Sequence, residues 1–386
     1  QAGNALMRAA DSLKRELGSK SSGKSRPKAR SRFRRAKSLL ISWRDGDLVF
    51  TNYLARTVLS AEPETVRVLN FCDDWVRLPD LVAHMPEYSR RSIASAVRQL
   101  IATSLLVIEH SAAAVRDADL ADVWSAWLPH GSFHFATKDV YFLTPSETEP
   151  LMKRYMAESP QPALTKQYRG SPSIPLSKTH SRDDDFSRVL MARQTYRNFA
   201  RKPISLAMLS DLLYYTWGVT GKIDAPPFGR LFHKTSPSGG ARHSIEAYVL
   251  ALRVEGLSQG LYHYDGLKQK LTKIRGVQAK KKAVEYTAGH EFLDDASALF
   301  IMTAVFPRVL WKYRFARGYR VVLLDAGHLC QTFCLAATWL GLAPFCTAAL
   351  QDSLIEKDLG IDGIRESVLY VAAVGVPVAG KARNNR

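Results

Sequence analysis

Two short stretches hold residue types whose spacing could do chemistry. In RQTYRNF, Arg193, Thr195, Arg197 and Phe199 alternate along the chain. Residues two apart on a continuous helix diverge by about 200°, so these side chains converge only where a helix ends and the backbone becomes extended. Pro203, and Ser205 as the N-cap of a following helix, mark such a break. Two guanidiniums with a hydroxyl between them suit a phosphate and a neighbouring polar ring edge; arginines on a solvated helix end are the alternative. In LFHKTSPSGGARHSIEAYVL, Ser236, Pro237, Ser238, Gly239 and Gly240 form a turn of almost no side-chain volume before a strand-like run. Adjacent glycines let something flat or anionic approach the main chain, although a tight connection between two elements has the same composition.

Metal chemistry is not expected. Cys330 and Cys334 share one helical face, but no nearby Cys or His pair completes a zinc set, so they read as buried thiols. His130 and His134 stand four apart, yet Gly131 and Ser132 between them argue against a helix that would align them. Four cysteines, with Cys72 and Cys346 the others, are too few and too scattered for a disulfide framework and fit a reducing compartment.

The 386 residues are 46% hydrophobic, enough for a full core, and length alone suggests two domains. No apolar run approaches the roughly eighteen residues of a membrane span, and the first residues lack the apolar segment of a secretory signal, so a cytoplasmic location is expected. The net charge of +18 is concentrated: residues 1–44 carry thirteen Lys or Arg against Asp11 and Glu16, a net of +11. GSKSSGKSRPKARSRFRRAK cannot bury enough surface to offset ordering, and residues 1–47 read as a basic, disordered arm with an affinity for acidic peptide, acidic partner or nucleic acid.

Residues 48–145 read as a winged-helix-like module. ETVRVLNFCDDW, RLPDLVAHMP and a helix capped by Ser92 precede the strand SLLVIEH. Arg90, Arg91 and Arg98 are a thin set for reading DNA, and winged helices also grip peptides along the wing. Residues 146–185 are Pro- and Ser-rich and read as a linker. Residues 186–386 read as α+β: helices at DFSRVLMARQ and SLAMLSDLLYYTWG, strands at EAYVLALRV, GLYHYD, KLTKI and ALFIMTAVF, a long helix over 321–340, then PFCTAAL and SVLYVAAVGVP. Neither a G-x-G-x-x-G opening a helix nor a Walker A sequence is present.

The order of these motifs over residues 186–378 resembles the nitroreductase-fold flavoproteins. SPSGGARHSIEAYVLALRVEGLSQGLYHYD is similar, more narrowly, to the SagB-type dehydrogenases that oxidise azolines in thiazole and oxazole peptides. The resemblance implies FMN at a twofold interface, hence a homodimer, with Ser236–Gly240 beside the isoalloxazine ring. Arg193, Thr195 and Arg197 would hold phosphate, ribityl chain or pyrimidine edge. Gly341 and Leu342 match the Gly-Leu that borders the flavin, although Ala343 and Pro344 stand where relatives often have another glycine. The basic residue that reaches the phosphate after the last strand would be Lys381 or Arg383.

In the azoline-oxidising branch a Lys-Tyr pair is the catalytic signature, and it stands here as Lys312 and Tyr313. An azoline becomes an azole by losing a Cα proton and a Cβ hydride, so a base is required away from the flavin. A free Tyr has a pKa near 10 and serves as that base only if something, here the Lys312 ammonium, stabilises its phenolate. Adjacent helical residues diverge by about 100°, so the pair could act together only near a helix end or through long side chains. The resemblance recasts the N-terminal module as a dock for a precursor peptide or a cyclodehydratase partner. The alternatives are an NAD(P)H-dependent nitro or quinone reductase and a DNA-binding, flavin-sensing regulator.

Overall fold

A computed structural model describes residues 31–159, 161, 164, 184–226 and 229–378. The chain divides into two compact units, Gln1–Ala121 and Asp122–Arg386. In the first, β1 (Phe33–Arg35) precedes a meander of β2 (Leu39–Arg44), β3 (Asp47–Asn52) and β4 (Thr57–Ser60). Three helices follow, α1 (Glu64–Phe71), α2 (Leu78–His84) and α3 (Arg90–Ala102), then β5 (Leu106–Ile108) and α4 (Ala112–Trp124). β5 returns antiparallel to β1, pairing Phe33 with Ile108. Phe33, Phe50, Leu69, Leu81, Ile93 and Val97 pack into this unit's core.

Several expectations are corrected here. The basic arm does not extend to residue 47, because β1 and β2 lie within it; residues 1–30 lie outside those described. The β2–β3 hairpin turns on Asp45 and Gly46, with φ of 52° and 89°, the Asp-Gly pair that a two-residue hairpin favours. The cap of α3 is Ser89, whose hydroxyl accepts from the Ser92 amide; Ser92 itself is three residues inside.

The second unit begins before residue 146. α5 (Leu128–Ala136) and α6 (Pro145–Glu158) are followed by α7 (Asp185–Ala192) and α8 (Leu206–Trp217), and most of the expected linker after α6 lies outside the described residues. Trp124 donates to the Ile364 carbonyl at 2.9 Å, and the buried Lys138 ammonium pairs with Glu356 at 2.5 and 2.6 Å, so residues 122–145 are built into this unit. Gly131 and Ser132 sit inside α5, contrary to expectation. Tertiary packing overrides their poor propensity: His134 is buried among Trp124, Phe135, Phe306 and Tyr319, its Nδ1 3.0 Å from the Tyr319 hydroxyl.

The small hairpin β6 (Gly221–Asp224) and β7 (Arg230–His233) leads to the main sheet. Its strands are β8 (Ile245–Ala251), β9 (Gly260–Asp265), β10 (Lys270–Arg275), β11 (Ala298–Val305), β12 (Ala343–Thr347) and β13 (Glu366–Gly375). The helices are α9 (Ala279–Tyr286), α10 (Phe306–Leu310), α11 (Gly318–Trp339) and α12 (Asp352–Leu359). The sheet is antiparallel throughout, in the order β10-β9-β8-β11-β13-β12.

Both faces of the sheet are covered, which is why β11 reads as an apolar run broken only by Thr303 rather than an alternating one. Leu299 and Ile301 face a core shared with Tyr286 and Ile355, while Phe300 meets Trp217 and Phe333 on the opposite side. α11 is long and apolar enough to cross a membrane by length and composition, a property the sequence reading missed. Ten of its residues are buried, among them Val322, Leu329 and Phe333.

Candidate active site

The Arg-rich segment takes the shape its alternation requires. Asp184 caps α7, the helix ends at Ala192, and Arg193 is its C-cap with φ −59° and ψ 121°, already outside helical space. From there the chain runs extended across the sheet: Tyr196 donates to the Pro344 carbonyl at 3.0 Å, and Ala200 bridges to Val376. Phe199 is buried against Gly375, where an added Cβ would lie 2.6 Å from the Phe199 ring, so this glycine makes room for the segment. The Arg197 guanidinium stands 6.0 Å from the centre of the Phe345 ring. Among the described residues neither Arg193 nor Arg197 has a carboxylate partner, and Thr195 is exposed beside them.

Gly341 follows α11 with φ of 73°, and its amide donates to Thr338 while that of Leu342 donates to Ala337, closing the helix and starting β12. Gly341–Leu342 and the Arg193–Arg197 segment are thereby both tied to β12. Lys381 and Arg383 lie outside the described residues.

The turn is pressed onto α11 from the other direction. The Ser238 hydroxyl donates to the Asp325 carboxylate at 2.6 Å, and the Gly239 amide donates to the same carboxylate at 3.1 Å. Ser236 pairs with Thr332 at 2.6 Å. Both serine hydroxyls thus have partners on α11. Asp325 is 3% exposed, and burial raises its pKa against the opposing pull of Ser238 and Gly239.

The need for glycine has a geometric cause. A Cβ on Gly239 would sit 2.2 Å from Val321, and one on Gly240 would sit 2.8 Å from both the Lys312 ammonium and the Tyr313 hydroxyl. Gly240 also has φ of 62°. Gly240→Ala should cost about 1–2 kcal/mol from the left-handed backbone alone and push the Lys-Tyr pair aside. Urea unfolding should show the lower stability; an unchanged midpoint would mean that the turn relaxes freely.

Lys312 and Tyr313 lie between α10 and α11, at a helix end as joint action requires. The Tyr313 amide donates to Val309 at 2.8 Å, and the Lys312 ammonium is 5.7 Å from the centre of the Tyr313 ring. Two positioning residues were not singled out from the sequence. Trp127, fully buried, donates its indole N–H to the Tyr313 carbonyl at 3.1 Å. Asp325 was signalled, if at all, by being the sole acid within the α11 sequence. The structure thus gathers the turn with Lys312 and Tyr313, and ties the Arg193–Arg197 segment to β12, the strand that Gly341 and Leu342 lead into. α11 reaches the first group through Asp325 and Thr332, which hold the turn, and packs against α7, the helix that ends just before Arg193.

Two guanidiniums without a carboxylate partner among the described residues, on either side of a hydroxyl in the sequence, fit a flavin phosphate, and the glycine turn offers close main-chain approach. The nitroreductase family model matches residues 190–376. The trifolitoxin-processing protein TfxB of Rhizobium leguminosarum bv. trifolii is 32% identical over 179 residues, 44% of this chain and 47% of TfxB. The microcin B17-processing protein McbC of Escherichia coli is 30% identical over 144 residues, 36% of this chain and 53% of McbC. The chain thus spans about half the length of these two processing proteins. The putative nitroreductase MJ1384 of Methanocaldococcus jannaschii is 30% identical over 187 residues, 48% of this chain but 88% of that protein. With a relative matched over nearly its whole length and both motif groups in place on the antiparallel sheet, the chain belongs to the nitroreductase family.

Proposed function

We propose that the chain is an FMN-dependent dehydrogenase that oxidises thiazoline or oxazoline rings to thiazoles or oxazoles in a ribosomally made peptide. The observation that carries this reading is the convergence of the Lys312 ammonium and the Tyr313 hydroxyl on Gly240. The relatives named for processing trifolitoxin and microcin B17 support a peptide substrate.

Bound FMN supplies a two-electron acceptor. Arg193 and Arg197 hold its phosphate, with Thr195 as the accompanying hydroxyl, and the 236–240 turn presents a flat backbone surface. Tyr313, as phenolate, takes the Cα proton onto its oxygen, and the Lys312 ammonium stabilises the negative charge before that transfer. Trp127 fixes the Tyr313 backbone, and Asp325 fixes the turn opposite, so both walls of the reacting space are held from inside the core.

The first unit docks the precursor peptide. Among the described residues β4 is an edge strand, paired to β3 alone, and between it and α3 runs a cleft of about 200 Å³ lined by Leu59, Val68, Tyr88, Ile93 and Ala96. A peptide strand added to that edge gains main-chain hydrogen bonds and places alternate side chains in the cleft. The basic N-terminal segment attracts an acidic leader, a cyclodehydratase partner supplies the azoline, and the enzyme works as a homodimer.

The match to 88% of MJ1384 favours a second reading, a nicotinamide-dependent reductase. Anaerobic mixing separates the two. An azoline peptide should bleach the yellow FMN-loaded protein, and NADH or NADPH should not. Bleaching by a nicotinamide with no response to azoline would favour the reductase.

A further inference from the structure

The sequence offered Cys330 and Cys334 as an unpartnered pair on one helical face. The fold supplies a third thiol: Cys346 on β12 comes beside them, and the three sulfurs all lie within 4.8 Å of one another. They come from two elements that the core locks together, since α11 packs on β12 and Cys346 is held opposite Ala372 of β13. Cys330 and Cys334 are buried and Cys346 is partly open. The Tyr370 hydroxyl donates to the Cys346 sulfur at 3.3 Å, and no fourth Cys, His, Asp or Glu completes the group among the described residues.

We propose that Cys330, Cys334 and Cys346 form a three-thiolate site for one thiophilic closed-shell cation, Zn²⁺ or Cu⁺. Metal–sulfur bonds of about 2.3 Å place three sulfurs about 4 Å apart, so the observed cluster needs to contract by less than about 1 Å. Sulfur-only coordination selects these soft ions over Mg²⁺ and Ca²⁺, which take oxygen. Cu⁺ is satisfied by three thiolates; Zn²⁺ takes a water or the Tyr370 oxygen as its fourth ligand.

Binding expels the thiol protons, one from each sulfur that becomes a ligand. The site is independent of the dehydrogenase reading, although β12 links it physically to the proposed phosphate cradle.

The test uses the full chain under reducing conditions, stripped of metal and titrated separately with Zn²⁺ and Cu⁺ in competition with a chromophoric chelator for each. About one equivalent of one ion should be withheld from its chelator. Ser at any of the three positions should weaken binding by at least ~10-fold, while Cys72→Ser, the chain's remaining cysteine, should not. Which titration retains its ion assigns the metal. Equal binding by the parent and the triple Ser variant, or by neither, would overturn the site. Should a Ser variant fail to fold, the parent alone decides: the bound ion should slow alkylation of Cys330, Cys334 and Cys346, mapped by peptide mass, and unchanged alkylation would overturn the proposal.

Discussion

Tyr313→Phe is expected to slow azoline oxidation by roughly two to four orders of magnitude, the scale of a lost general base, while FMN stays bound. The substitution removes only the hydroxyl, so the ring's contact with Phe315 and the Trp127 bond to the Tyr313 carbonyl survive. Lys312→Ala should cause a loss of similar size by leaving the phenolate uncompensated. The double variant should be little worse than either single one, because the two groups share one task and their effects do not add. Chemical reduction of the flavin should proceed as in the parent. Parent-rate oxidation by Tyr313→Phe at full FMN occupancy would reduce the pair to scaffolding.

The second large effect concerns the cofactor itself. Replacing Arg193 and Arg197 together by Ala removes two charge-assisted hydrogen bonds to phosphate, each worth about 1.5–3 kcal/mol, so flavin affinity should fall on the order of 10²- to 10⁴-fold. The fold should persist, since neither guanidinium has a carboxylate partner among the described residues and Phe199, the buried anchor of the segment, is untouched. Flavin absorbance per chain after desalting should collapse while the far-ultraviolet circular dichroism is unchanged. Retention of full flavin would show that phosphate is held elsewhere.

The C-terminal half of the chain was legible because local signals there agree with the tertiary outcome. Ser205 caps α8 by accepting from the Met208 amide, as its type favours, and Gly218 ends the helix with extended rather than left-handed backbone. The alternation of Arg193, Thr195 and Arg197 conflicts with a helix, and the helix does stop before them. The N-terminal half was less legible, because charge masked pattern. β2 has no buried residue, so its sequence carries no alternation to betray a strand, and the Asp45-Gly46 hairpin lay within a segment read for its lysines and arginines. α5 defeated a propensity argument, since the aromatic cluster around Trp124 and His134 holds Gly131 and Ser132 in a helix.

Contacts remote in sequence were out of reach altogether. Trp127 and Tyr313 are 186 residues apart, and Cys346 joins the other two cysteines only when β12 is laid against α11. Nothing in spacing alone records such meetings. The convergence of Gly240 with Lys312 and Tyr313 is of the same kind: the motifs could be quoted separately, and only the fold brings them to one point.

The central claim is that this chain oxidises azoline rings, and the mass of the product tests it most directly. A peptide carrying a defined thiazoline or oxazoline, incubated in air with the FMN-loaded protein, should lose two hydrogens, about 2 Da, for each ring converted, since dehydrogenation removes one proton and one hydride. Tyr313→Phe in parallel should leave the mass unchanged over the same interval. Recovery of the azoline peptide at its original mass, from protein that holds FMN and binds the peptide, would contradict the account.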